Sequence, residues 1–475
     1  QNPESYDLFG KLGYWIDDHQ NVELMVNRFE LEGEGDYVPV RGDRENGIAT
    51  RARKGEPDGK PGFNKVTTAR LSYAHADWLG SQVDAQLYSQ RFRARFATTP
   101  FFPYEGTDGE KQFDQTRNES DKLGAKFTLS RGGLFEDHLK VTTGLDLLQD
   151  ETRQTLIETG RTYVPETQFR NAAVFAQADF SLTETLTLQA GARHEQAKLN
   201  VDTYQAVDRS GPVMSDGVIV DGGSPEFDET LLNAGLVYQA TSWAQLYTNY
   251  SEGFGMPDVG RVLRGIDQPG QDVDTLLQLR PIVTDNREVG SRFHWHRYGL
   301  EVSYYESRSD YGERLTEENG VWVGNREKTK IRGVEVSGDA RLGGHLLKLT
   351  YSQAEGESDT DGDGSLDTEL TGLNIAPDTL RLAWTARWNA KLSSLLQYNH
   401  YFARDAEDPT LDFDGHGLVD ASLAYELPAG KLDLGIANLL DKDYFTYYSQ
   451  AARASDEYYF KGRGRTVTLG YSVDF

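Results

Sequence analysis

Along this chain the apolar residues fall, segment after segment, at every second position. In the last segment Arg465, Val467, Leu469, Tyr471, Val473 and Phe475 share one face, and Thr466, Thr468, Gly470, Ser472 and Asp474 share the other. The same rhythm runs through Leu380, Leu382, Trp384, Ala386 and Trp388, through Tyr298, Leu300, Val302 and Tyr304, and through Val174, Ala176, Ala178 and Phe180. Successive side chains of a strand point to opposite faces, so each segment reads as a strand with one apolar side. No long stretch shows helical spacing.

The connections are sorted as well. Short turns (Asp17 to Asn21, Leu182 to Thr185, Gly343 to Gly344, Leu427 to Gly430) take turns with long polar excursions, among them 33–62, 98–112, 150–167, 202–226, 254–283, 306–321, 356–369, 404–415 and 445–457. A membrane barrel has short turns at one rim and long loops at the other, whereas a soluble sandwich has no reason to sort its loops by parity. The fold expected is therefore all-β: a transmembrane, antiparallel, up-and-down β-barrel occupying residues 1–475 as one domain. The marks delimit about 19 strands, an odd number where a complete single-chain barrel has an even one. The first connection is a short periplasmic turn, so the first strand descends from outside and its partner is expected upstream. A parent of about 22 strands, with an N-terminal plug, fits that deficit.

Composition enters as a check on this reading. Hydrophobic residues make up 37% and no run of about 18 apolar residues occurs, which excludes a membrane-spanning helix. Alternate strand residues that face a lumen or water keep mean hydropathy low without excluding a barrel. A net charge of -26 argues against nucleic acid as a partner and suits acidic surface loops. There is no cysteine, hence no disulfide framework and no thiolate chemistry. Gln1 begins without a basic or apolar leader, so an export signal is expected to have been removed or to lie upstream.

Two blocks near the C-terminus, Ile436-Ala437-Asn438-Leu439-Leu440-Asp441-Lys442-Asp443-Tyr444 and Tyr459-Phe460-Lys461-Gly462-Arg463-Gly464-Arg465-Thr466 leading to Phe475, resemble the C-terminal signature of TonB-dependent receptors. Within that family Phe101-Phe102-Pro103-Tyr104, Tyr250 to Gly260, Arg332-Gly333-Val334-Glu335 and Leu427 to Leu432 look most like receptors for citrate-hydroxamate siderophores of the aerobactin type. The resemblance implies a bacterial outer-membrane importer of a ferric siderophore, with Fe³⁺ present only as cargo. It also implies energy from TonB through an N-terminal part, and outer-membrane lipid around the wall. No cofactor is required.

An iron chelate with carboxylate edges needs aromatic walls and guanidiniums for bidentate recognition. On loops and upper lumenal walls the candidates are Phe101, Phe102, Tyr104, Arg117, Tyr163, Arg261, Arg264, Arg326, Tyr447, Tyr448 and Tyr458. Each also has a plain reading as a packing aromatic or a solvated charge. A separate feature is the run 359–367, where Asp359, Asp361, Asp363, Ser365 and Asp367 alternate and are followed by Glu369, like the first half of a calcium loop. Leu370 stands where a regular EF-hand has its bidentate Glu, so Ca²⁺ binding and a merely solvated acidic loop are both open. No arrangement characteristic of an enzyme occurs. Three competitors to siderophore import remain at this stage: a passive porin, a calcium-binding surface adhesin, and a receptor of the same family for haem, cobalamin or a sugar.

Overall fold

The computed structural model describes all residues except 1–2, 34–36, 56–58, 97–101, 277–278, 319–320, 407–408, 453–454 and 474–475. One antiparallel sheet runs through it. Its strands are β1 (Pro3–Trp15), β2 (Gln20–Gly33), β3 (Phe63–Trp78), β4 (Ser81–Arg95), β5 (Thr116–Leu134), β6 (Leu139–Leu156), β7 (Thr162–Thr183), β8 (Leu186–Val201), β9 (Glu226–Thr241) and β10 (Ala244–Gly255). They continue as β11 (Ile282–Trp295), β12 (Tyr298–Glu318), β13 (Val321–Leu342), β14 (His345–Ser358), β15 (Thr379–Arg387), β16 (Leu392–Tyr401), β17 (His416–Leu427), β18 (Gly430–Ala437) and β19 (Thr466–Ser472). Each pairs with the next in chain order. The sheet's twentieth member, Thr368–Glu369, is a two-residue flap on β14, which leaves nineteen strands in the wall.

The all-β barrel and the strand number thus agree with the sequence reading. Two of the long loops do not exist as loops. Around 150–167 and 306–321 the chain instead continues as tall hairpins, β6 and β7 of 18 and 22 residues, β12 and β13 of 21 and 22. About 9–11 residues suffice to cross a bilayer. Above that height a strand still satisfies its backbone through its neighbours but has no lipid to face, so the apolar alternation lapses. Cross-strand ion pairs such as Arg153 to Glu166 (3.0 Å) and Arg314 to Glu327 (2.7 Å) take over.

The two faces separate cleanly. Leu87, Leu123, Val174, Leu232 and Val289 line one face and are about half exposed, as expected for side chains whose solvent is hydrocarbon. The opposite face carries ion pairs: Arg193 to Asp146 at 2.7 Å, Lys122 to Asp150 at 3.2 Å, and Arg70 to Glu23 at 2.6 Å. Tyr14, Trp78, Trp243, Trp295 and Trp388 all lie at short-turn ends and are exposed, forming an interfacial girdle at the periplasmic rim.

Antiparallel neighbours alternate in direction, so the first and nineteenth strands run the same way. Among the described residues nothing pairs β1 with β19, and antiparallel closure between them needs an odd number of further strands. The extracellular rim nevertheless meets itself. Gly42 N donates to Asp456 O (3.1 Å) and Thr50 N to Tyr459 O (2.8 Å). Arg44 donates to Ser449 O (3.1 Å) while its guanidinium lies 5.1 Å above the Tyr459 ring. The loop after β2 therefore holds the loop before β19, and the sheet is curled end to end.

Within the wall, lumenal tyrosines lie across bare glycines on the next strand: Tyr88 over Gly124, Tyr247 over Gly290, Tyr305 over Gly333. A Cβ on Gly290 would fall 2.3 Å from the Tyr247 ring. We expect Gly290→Val to cost about 1–3 kcal/mol by overpacking, read from the urea midpoint of the folded barrel. Tyr247→Ala in the same chain should return most of that loss.

Candidate functional site

The rim opposite the tryptophan girdle holds the candidate site, and its organisation starts with a six-residue helix, α1 (Val259–Arg264). Asp258 caps it by accepting the Arg261 N–H at 3.0 Å and also holds Arg261 Nε at 2.7 Å. Gly265 N closes the last turn onto Val262 O. The helix touches both β7 and β13, the seventh and thirteenth strands of the wall, so this loop folds inward across the mouth.

Two apolar nuclei fix it there. In the first, Leu263, Val273 and Leu279 pack on Leu199 and Val201 from the top of β8, and on Tyr204, Ala206 and Val220 from the loop that follows. The buried Tyr204 hydroxyl donates to Leu263 O at 2.6 Å, and burial pushes its pKa upward. The second nucleus is Leu156, Tyr163, Val164 and Met214, with Phe102 and Tyr104 packed against it. Phe102 meets Tyr163 edge-on at 4.8 Å.

Cations gather at that second nucleus. The guanidiniums of Arg264 and Arg209 lie 5.3 Å and 5.7 Å from the Tyr163 ring, and Arg209 Nη1 is 3.4 Å from the Tyr163 hydroxyl. Burial lowers the pKa of Arg264 from its ordinary value, but an arginine starts so far above neutrality that it stays charged. Arg261 has a buried Nη1 without a hydrogen-bond partner. The Tyr104 phenol is pushed up by burial and by Glu158 and Asp114. Aromatic surface beside fixed guanidiniums is the chemistry that recognises a large anion with planar or carboxylate edges.

Of the residues singled out in the sequence, Phe102, Tyr104, Tyr163, Arg261 and Arg264 thus come together. Arg326 lies apart, donating through Nη2 to Arg280 O (2.8 Å) and Pro281 O (3.3 Å), with Nε and Nη1 buried and unpartnered. Tyr447 is fastened elsewhere, its hydroxyl donating to Gly372 O (2.9 Å) and Ile375 O (2.8 Å). Tyr448 is exposed, and Tyr458 stands 6.4 Å from Phe460. Arg117 shares the face of Leu123 and Ala125 on β5, so it points outward from the wall, beside Glu119 at 3.7 Å. Phe101 lies outside the described residues.

The sequence did not single out Arg209, whose only signal is a cation in the long loop after β8. Nor did it single out His416. That residue is buried between Tyr444 (4.5 Å) and Tyr401 (4.9 Å), and its Nδ1 has no partner. A lone histidine opening a strand carries no pattern that separates it from a surface one.

In the acidic loop, one carboxylate oxygen from each of Asp359, Asp361 and Asp363 lies within 4.8 Å of the others. Asp359 is buried and accepts N–H groups from Gly362 and Gly364, each at 2.8 Å. Those glycines have φ of 77° and 93°, which admits the tight wrap. Ser365 N–H donates to Asp363 at 2.7 Å and holds that carboxyl below its ordinary range. Asp367 accepts from Thr360 N at 3.4 Å. Glu369 turns away to Arg404, 2.8 Å distant.

Replacing Tyr204 by Phe removes a buried hydrogen bond tying α1 to the neighbouring loop. We expect a loss of about 1 kcal/mol, seen as faster protease cleavage within 255–281 with the barrel itself unchanged.

Compared with known proteins, residues 17–439 match the family described as TonB dependent receptor-like, beta-barrel. The ferric aerobactin receptor of Klebsiella pneumoniae is 26% identical over 529 residues, covering 100% of this chain and 70% of that protein. The rhizobactin receptor of Rhizobium meliloti is 27% identical over 528 residues, covering 99% and 68%. Among solved structures, the closed form of the ferric-catecholate import receptor from Escherichia coli K12 superposes with a TM-score of 0.75 at 14% identity, covering 98% of this chain and 74% of that one.

Proposed function

The chain belongs to the TonB-dependent receptors of the bacterial outer membrane, and on that premise we propose that it imports a ferric siderophore of the citrate-hydroxamate class with energy delivered through TonB. As a member of this family it is a transporter and not an enzyme. The observation that carries the cargo reading is the gathering of Arg209 and Arg264 around Tyr163, beside Phe102 and Tyr104, at a loop that folds into the mouth. A ferric citrate-hydroxamate complex carries carboxylate edges for the guanidiniums and an extended oxygen cage for the aromatic wall. Relatives named for aerobactin and rhizobactin, matched along essentially the whole chain, point the same way. Further strands bringing the wall to an even number, about 22, complete the barrel in this reading.

The test is binding of ferric aerobactin, a ferric catecholate and haem to the full-length receptor, followed by tryptophan fluorescence. Ferric aerobactin should bind most tightly, and Arg264→Ala should weaken it about tenfold or more, the scale of one lost charged hydrogen-bonding group. Tight binding of the catecholate or haem with none of aerobactin would overturn the assignment.

The acidic loop is read as a Ca²⁺ site of Asp359, Asp361 and Asp363, supported by Ser365 and Asp367. Three carboxylates held this close, one of them buried, repel one another unless a hard cation shares them. Calcium should protect residues 359–369 from proteolysis, and Asp361→Asn with Asp363→Asn should abolish the protection. Equal cleavage with calcium and with chelator would reduce the segment to a solvated turn.

A further inference from the structure

On the outer wall, the register assigns a groove that the import function does not use. Across β4 to β9 the outward residues of one row are Leu87, Ala125, Leu147, Ala172, Gln196 and Asp228, each opposite the next. In the row above it, Leu123 on β5, Gln149, Arg170, Lys198 and Glu226 follow one another in the same way. Between the rows runs a groove of about 740 Å³. Its floor is low where alanines stand at Ala125 and Ala172, and leucines bank one end while charged and amide groups close the other.

This height on the wall carries a band of outward ion pairs. Arg91 and Arg93 hold Asp121 at 3.2 and 2.6 Å, Lys198 holds Glu226 at 2.7 Å, Arg308 holds Glu306 at 2.7 Å, and Arg332 holds Glu355 at 3.1 Å. The band directly above an apolar belt marks the level of lipid headgroups. Arg170 departs from it. It is exposed, has no ion-pair or hydrogen-bond partner among the described residues, and its cross-strand neighbours are Gln149 and Lys198, neither of them acidic. A guanidinium without an acid partner, at the head of an apolar trough, matches a phosphate joined to a hydrocarbon chain.

We infer that this groove holds one phosphate-bearing lipid of the outer leaflet, its phosphate at Arg170 and an acyl chain laid over Ala172, Ala125 and Leu147. The occupant is committed by charge: acids elsewhere in the band neutralise their cations, while here the cation faces outward unanswered.

The full-length receptor, purified in mild detergent, is offered phosphatidylglycerol or diacylglycerol from mixed micelles, and bound lipid is counted by native mass spectrometry. One phosphatidylglycerol should remain after annular lipid is stripped, and diacylglycerol should not. Arg170→Glu, which reverses the charge, and Ala172→Trp, which fills the trough, should each cut retention about tenfold. Ala421→Trp, on the outward face of distant β17, should leave it unchanged. Heat-modifiable mobility on gels confirms that each variant is folded. Equal retention of diacylglycerol, unchanged retention in Arg170→Glu, or an equal loss in Ala421→Trp would each overturn the assignment.

Discussion

Everything in this molecule depends on the lateral hydrogen bond between neighbouring strands. In hydrocarbon an unpaired backbone N–H or C=O costs several kcal/mol, and only a helix or a continuous sheet avoids that cost. Among the described residues no helix is long and apolar enough to cross a membrane, and the ladder does the spanning. From it follow the two-faced strands, the lumenal ion pairs, and a glycine under each large lumenal tyrosine named above, because the ladder fixes the distance between strands and leaves side chains to fit around it. The loops at the rim are freed from that constraint, and there the chain builds ordinary apolar nuclei around Leu263 and Tyr163.

The split between ladder and rim also sets what could be read from residues alone. Strand existence, strand count and the sorting of connections were legible because lipid on one side and water on the other write a period of two into the sequence. That writing stops where lipid stops. Arg153, Glu166, Arg314 and Glu327 look like loop residues because their strands stand above the bilayer, and the two tall hairpins carry no mark in the sequence that separates them from loops.

The site was legible in part, for a different reason. Phe102, Tyr163 and Arg264 could be chosen as residue types suited to an anionic chelate, but nothing in local spacing says that segments near 102, 163, 209 and 264 meet. Their meeting depends on α1 lying across the mouth, a non-local event driven by Leu263, Val273 and Leu279. Arg117 shows the opposite failure: the right residue type at the right height, on the wrong side of a strand whose parity sends it outward.

The clasp of Arg44 on Ser449 and Tyr459 joins segments 405 residues apart along the chain. A contact of that span bears the full entropy of closing a very long loop, and it forms only once the intervening strands have docked in order. The rim tie is therefore a late event in assembly, a latch that closes on a finished wall.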